Sequence, residues 1–124
     1  MARVLVIDDE PDVRAVMRRF LGAAGHDVRE ASDGAAALGA LAAQPADVVI
    51  TDLYMPGMDG IELARELRKL PTRPAVIAVS GGGFGRQADV LDVAATLGAA
   101  ATLPKPFTRE QLLGAVDRVL RREE

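Results

Sequence analysis

Two periods alternate along the chain. Short runs with strand character fall at 4–7, 26–30, 48–51, 75–79 and 101–103, most of them rich in Val and Ile. Longer stretches of helical period lie between and after them. In the first, Val13, Val16, Met17, Phe20 and Leu21 recur at i, i+3, i+4, i+7 and i+8, which predicts one apolar helix face. Pro11 suits the first turn of that helix and Gly25 its end. A second, alanine-rich helix is expected over Gly34–Ala43, opening at a Ser32/Asp33 cap. A third starts at Asp59, with Glu62 three residues on as a capping-box-like pair. A fourth covers roughly 86–97 and ends at Gly98. A fifth starts at Thr108, with Gln111 three residues later, and is expected to bury Leu112, Leu113, Val116, Val119 and Leu120.

Five such strand–helix units predict a parallel sheet with helices on both faces. Strands covered on both faces should be apolar throughout rather than alternating, and "VLVI", "DVVIT" and "AVIAVS" meet that condition.

Length and composition narrow the picture. The chain has 124 residues, of which 49% are hydrophobic and 27% charged, enough for one globular domain spanning 1–124. A net charge of −3 argues against a nucleic-acid surface, which calls for a basic patch. There is no cysteine, so neither disulfide nor thiolate chemistry is available, and a cytoplasmic setting fits. The apolar run before Asp8 is too short for a signal peptide or a membrane span.

Candidate chemistry gathers where strands end. The first strand stops at Asp8, Asp9 and Glu10, the third at Thr51 and Asp52, the fourth at Ser80, and the fifth shortly before Lys105. In an open α/β sheet, ligands sit outside the carboxyl ends of strands, where the strand order reverses. The second strand delivers no polar group to that rim, which fits an outer position in the order 2-1-3-4-5. That order makes the first and third strands neighbours, so Asp8, Asp9 and Asp52 are expected to converge. Adjacent carboxylates repel, and burying them is costly without compensation. A divalent cation with hard oxygen ligands relieves the repulsion, and Mg²⁺ fits best, because it takes one or two carboxylates and shares its shell with a phosphoryl group. Lys105 adds a compact positive charge and Ser80 a hydroxyl donor.

"VLVIDDE", "VVITDLYMPGMDG", "VIAVSG" and "LPKPF", in this order and over essentially the whole chain, resemble the receiver domains of two-component response regulators. The resemblance implies a flavodoxin-like, doubly wound (βα)5 sandwich. It implies that Asp52 is the phosphoacceptor, forming an acyl phosphate with a phosphohistidine of a histidine kinase or histidine phosphotransfer protein as donor. Asp9 would ligate Mg²⁺ directly, Asp8 mainly through a bound water, and the backbone carbonyl of Tyr54 would complete the protein ligands. Lys105 would pair with phosphoryl oxygens, and Ser80 would hydrogen-bond one of them. The Lys105–Pro106 bond would be cis, and Gly57 and Gly60 would shape the turn after the third strand. The output would be a changed surface on the fourth helix, fifth strand and fifth helix, read by a downstream protein or used to pass the phosphoryl group on. Self-association of the active form is left open.

The sequence departs from the family pattern at three places. Thr102 stands where receivers often carry an aromatic residue that turns inward with the hydroxyl. "SGGGFGRQAD" after the fourth strand is glycine-rich and long, a segment that phosphorylation could order. Tyr54 and Gly82 occupy positions that tune dephosphorylation in the family, and a bulky Tyr54 could shield the acyl phosphate.

Other readings compete residue by residue. The acids at 8–10 could stabilise a helix N-terminus. The "SGGGFG" run lacks the lysine of a nucleotide-binding loop. His26 has no partner in the sequence and reads as structural. A metal-dependent phosphatase with an aspartyl nucleophile would want a second acid two residues after it, where Tyr54 stands. A pseudo-receiver is disfavoured by the complete set of acids, Ser80 and Lys105. The Met1 start and the charged "RREE" ending make a stand-alone chain the expectation over a receiver excised from a longer regulator.

Overall fold

A computed structural model describes residues 2–52, 60–80 and 100–122. Five strands, β1 (Arg3–Ile7), β2 (Asp27–Ala31), β3 (Val48–Asp52), β4 (Ala75–Ser80) and β5 (Ala101–Pro104), form one sheet in the order β2-β1-β3-β4-β5. Every pairing is parallel. The described helices are α1 (Pro11–Ala23), α2 (Gly34–Ala43), α3 (Gly60–Leu67) and the C-terminal helix, here α4 (Arg109–Arg122). The helix expected over 86–97, its end at Gly98, the cap at Asp59, and Tyr54, Gly57 and Gly82 lie outside the described residues.

The sheet separates two apolar layers, as the strand period requires. Val4 and Val6 of β1, with Val48 and Ile50 of β3, face Met17 and Leu21 of α1 and Leu112, Val116 and Val119 of α4. Leu5 and Ile7, with Val49, face Ala37 and Leu41 of α2 and Leu63 and Leu67 of α3. Consecutive residues of β1 and β3 thus serve opposite layers, which is why both strands are apolar without interruption. β2 lies at the edge, and Asp27, Val28, Arg29 and Glu30 all retain some exposure.

Helix ends follow local chemistry. Pro11 occupies the first turn of α1, and beyond its end Gly25 has φ +94°, a left-handed conformation suited to glycine. Asp33 caps α2, accepting a hydrogen bond from the Ala36 N–H at 2.7 Å. Thr108 and Gln111 form a reciprocal capping box at α4. The Thr108 N–H donates to Gln111 Oε1 at 2.8 Å, and the Gln111 N–H donates to Thr108 Oγ1 at 3.1 Å. His26 Nδ1 accepts the Ala2 N–H at 3.2 Å, a structural contact beside the start of the sheet.

The apolar faces are covered less completely than their periods suggest, with Val13 and Phe20 of α1 only partly buried. Val16 is 40% exposed. It lies about 100° around the helix from Met17 and about 140° from Leu21, so it falls at the edge of the stripe those two centre on. Leu113 and Leu120 of α4 pack against the core only in part.

Candidate functional site

The polar rim is built by strand ends. β1 and β3 are direct neighbours, with Ile7 level with Thr51, so Asp8 and Asp52 leave the sheet side by side. Both are buried, Asp8 completely, with Asp52 at 6% exposure. Thr51, also buried, donates its hydroxyl to the Asp52 carbonyl at 2.9 Å. Lys105, just past β5, reaches across to these acids: its Nζ donates to Asp8 Oδ2 at 2.8 Å and to Asp52 Oδ2 at 3.0 Å. One ammonium therefore bridges two buried carboxylates, the compensation that such burial demands. Burial pushes the Lys105 ammonium down, but the hydrogen bonds and charges of Asp8 and Asp52 outweigh it and hold its pKa above the ordinary lysine value. The Lys105–Pro106 peptide is cis.

The turn after β1 holds the remaining acids. The Glu10 N–H donates to Asp8 Oδ1 at 2.9 Å, so both carboxylate oxygens of Asp8 are engaged. Asp9 and Glu10 are exposed, and ligand oxygens of Asp8, Asp9 and Glu10 lie within 4.8 Å of one another. Glu10 stands at the N-cap of α1 but its side chain makes no capping hydrogen bond, which weakens the reading of these acids as a helix-start cluster. Closely spaced carboxylate oxygens, two of the three side chains open to solvent, suit a hard divalent cation that keeps several waters.

Of the residues picked out in the sequence, Lys105 is in direct contact with both Asp8 and Asp52, and Asp9 sits beside Asp8 on the same rim. Ser80 closes β4, in register with Pro104 and one residue beyond the Asp52–Val79 pair. Thr102 pairs with Ala78 in β5 and is half-buried. Tyr54 is outside the described residues. Two residues at the site escaped the sequence reading. Glu10 belongs to the acid run of the sequence, but its part in the oxygen cluster appears only in the structure. Arg14, whose Nη1 donates to the Asp8 carbonyl at 2.7 Å, carries no motif signal beyond its place one turn after Glu10.

The family model described as the response regulator receiver domain matches residues 4–117. Response regulator MprA of Mycolicibacterium vanbaalenii is 37% identical over 121 residues, covering 97% of this chain and 51% of that protein. Response regulator MprA of Mycobacterium avium is 36% identical with the same coverage. The chain thus spans about half the length of these curated relatives. Among solved structures, a response regulator receiver domain protein from Clostridium thermocellum superposes with a TM-score of 0.89 at 33% identity, covering 99% of this chain and 97% of that one. The chemotaxis response regulator CheY4 of Vibrio cholerae gives a TM-score of 0.86 at 30% identity, covering 96% of this chain and 98% of that one.

Proposed function

The chain belongs to the response regulator receiver domain family, and from that premise we propose that residues 1–124 form one receiver that takes a phosphoryl group on Asp52. Receivers serve phosphorylation-dependent signalling between a phosphodonor and an effector. The finer reading is that a phosphohistidine of a histidine kinase or histidine phosphotransfer protein donates, in the cytoplasm, and that a downstream protein reads the result. No described helix is long and apolar enough to cross a membrane.

The Lys105 bridge carries this reading. Asp52 is buried at the end of a central strand, yet its Oδ2 faces an ammonium at the open rim. A carboxylate oxygen of Asp52 attacks the phosphorus of the donor, the phosphorus–nitrogen bond breaks, and the imidazole leaves with the electron pair and takes up a proton. Lys105 then exchanges a carboxylate contact for the phosphoryl oxygens, while Ser80, at the tip of β4, supplies a hydroxyl. Such a transfer depends on positioning and charge neutralisation more than on covalent help. Asp8, Asp9 and Asp52, with the backbone carbonyl of Tyr54, would hold Mg²⁺, which supplies positive charge to offset that of the acids and the phosphoryl oxygens. The same chain then catalyses only its own phosphorylation and dephosphorylation.

Intact-mass measurement after treatment with acetyl phosphate and Mg²⁺ tests the proposal. One phosphoryl group should add to the unsubstituted chain and none to Asp52→Ala, and beryllofluoride, a phosphoryl mimic, should bind only the former. Phosphorylation that persists in Asp52→Ala would refute the assignment.

A further inference from the structure

The acid turn is held from below by a side chain outside the metal and phosphoryl set. Arg14 lies early in α1 and is only 18% exposed along its side chain. Its Nη1 donates to the backbone carbonyl of Asp8 at 2.7 Å, and its Nε donates to Glu30 Oε1 on β2 at 3.2 Å. Arg18, one turn on, donates from Nη1 to the other Glu30 oxygen at 3.0 Å. The Asp8 N–H still bonds the Ala31 carbonyl at 3.2 Å, extending the β1–β2 ladder, so the Asp8 carbonyl marks the point where the chain leaves the sheet. Arg14 seizes the chain there.

We propose that Arg14, steadied by Glu30, is a positioning residue that presets the acid turn for its divalent cation. The proposal rests on the receiver reading. A guanidinium is a rigid fork that can hold two acceptors in a fixed relation, here one on the turn and one on the sheet edge. Asp8 is thereby fixed at three atoms: Oδ1 by the Glu10 N–H, Oδ2 by Lys105 and the carbonyl by Arg14. The neighbouring carboxylates of Asp9 and Glu10 inherit that order, so less freedom remains to be lost when a cation binds. Bare charge would act in the opposite direction, since a cation beside three acids competes with a metal for them. Glu30, shared with Arg18, offsets part of the Arg14 charge, leaving the fork with less repulsion toward an incoming cation.

Calorimetric titration of the full chain with Mg²⁺ alone reads this effect without any phosphodonor. Arg14→Ala should weaken Mg²⁺ binding about tenfold, as loss of a group that orients metal ligands does. Arg14→Lys, which keeps the charge and one donor, should recover part of that loss. Arg18→Ala, which removes an equal charge from the same helix face, should stay within about twofold of the parent, as for an exposed ion pair. In phosphorylation assays, Arg14→Ala should shift the half-saturating Mg²⁺ concentration and leave the plateau rate unchanged. Unchanged or tighter Mg²⁺ binding in Arg14→Ala overturns the proposal, as does a lowered plateau with half-saturation unmoved. If Arg14→Ala does not fold, Arg14→Lys decides, and parental affinity there overturns it. A parent chain that takes up no Mg²⁺ overturns the receiver reading as well. Uptake by the parent that Arg14→Ala merely equals overturns this inference alone.

Discussion

Lys105 sets the charge balance of the rim. Its ammonium bridges the carboxylates of Asp8 and Asp52, from the ends of two strands, and is held charged by both of them. The pH consequence follows in sign from that. Folding raises the lysine pKa, so the folded chain binds this proton more tightly than the unfolded chain does. The resulting stabilisation is complete below the ordinary lysine value of about 10.4 and is lost as pH rises through the higher folded value. Denaturant melts of the parent and of Lys105→Met, compared from about pH 8 to about pH 11, should therefore differ by a constant amount at first and converge at the alkaline end. At neutral pH in the absence of divalent cations, Lys105→Met should cost about 3 kcal/mol, because Asp8 and Asp52 lose the cation that their burial requires. Equal stability of the two chains at neutral pH would contradict this account.

At the level of elements, helices pack against both faces of the sheet, and some of them carry glycine where nothing crowds an added Cβ. Gly39 in α2 and Gly114 in α4 have, beyond their chain neighbours and their own helix backbone, no atoms within 4 Å of where a Cβ would stand, and neither adopts positive φ. Gly39→Ala and Gly114→Ala should each raise stability by about 0.5–1 kcal/mol, read as a shift in denaturant midpoint without a change in slope. A loss in either would show crowding that the open space does not predict. These elements were also the legible part of the sequence. Every strand end falls within one residue of its expected place, since runs such as "VLVI" stop sharply at polar groups. The α4 start was legible because Thr108 and Gln111 cap each other locally. The exposure of Val16 is not legible there, because periodicity marks a stripe without saying how wide a stripe the neighbouring layer covers. Arg14 and Glu30 were invisible for a different reason. An arginine that bonds a backbone carbonyl in one element and a carboxylate in another leaves no spacing rule in the sequence.

For the whole molecule, strand order is what turns scattered acids into a site. Because β1 and β3 are adjacent and β5 closes the sheet near Lys105, one ammonium can answer two of the acids, while Asp9 and Glu10 remain exposed beside Asp8. The folded chain therefore concentrates negative charge that the unfolded chain disperses, and part of its folding free energy is spent against that repulsion. A cation that binds the assembled rim and not the open chain returns that energy by mass action. At a concentration about a hundredfold above its dissociation constant it should add about 2.7 kcal/mol. Thermal or denaturant melts with increasing Mg²⁺ should rise logarithmically with its concentration, and chelation should reverse the gain. Asp9→Ala separates this effect from general salt screening. Asp9 is exposed and takes no part in the Lys105 bridge, so its loss should leave the cation-free chain as stable as the parent, or slightly more so, since one like charge is gone. The same variant should lose most of the Mg²⁺ increment. An increment that survives Asp9→Ala intact, or that sodium chloride reproduces at equal ionic strength, would mean that the rim binds no specific cation and that Lys105 alone balances the acids.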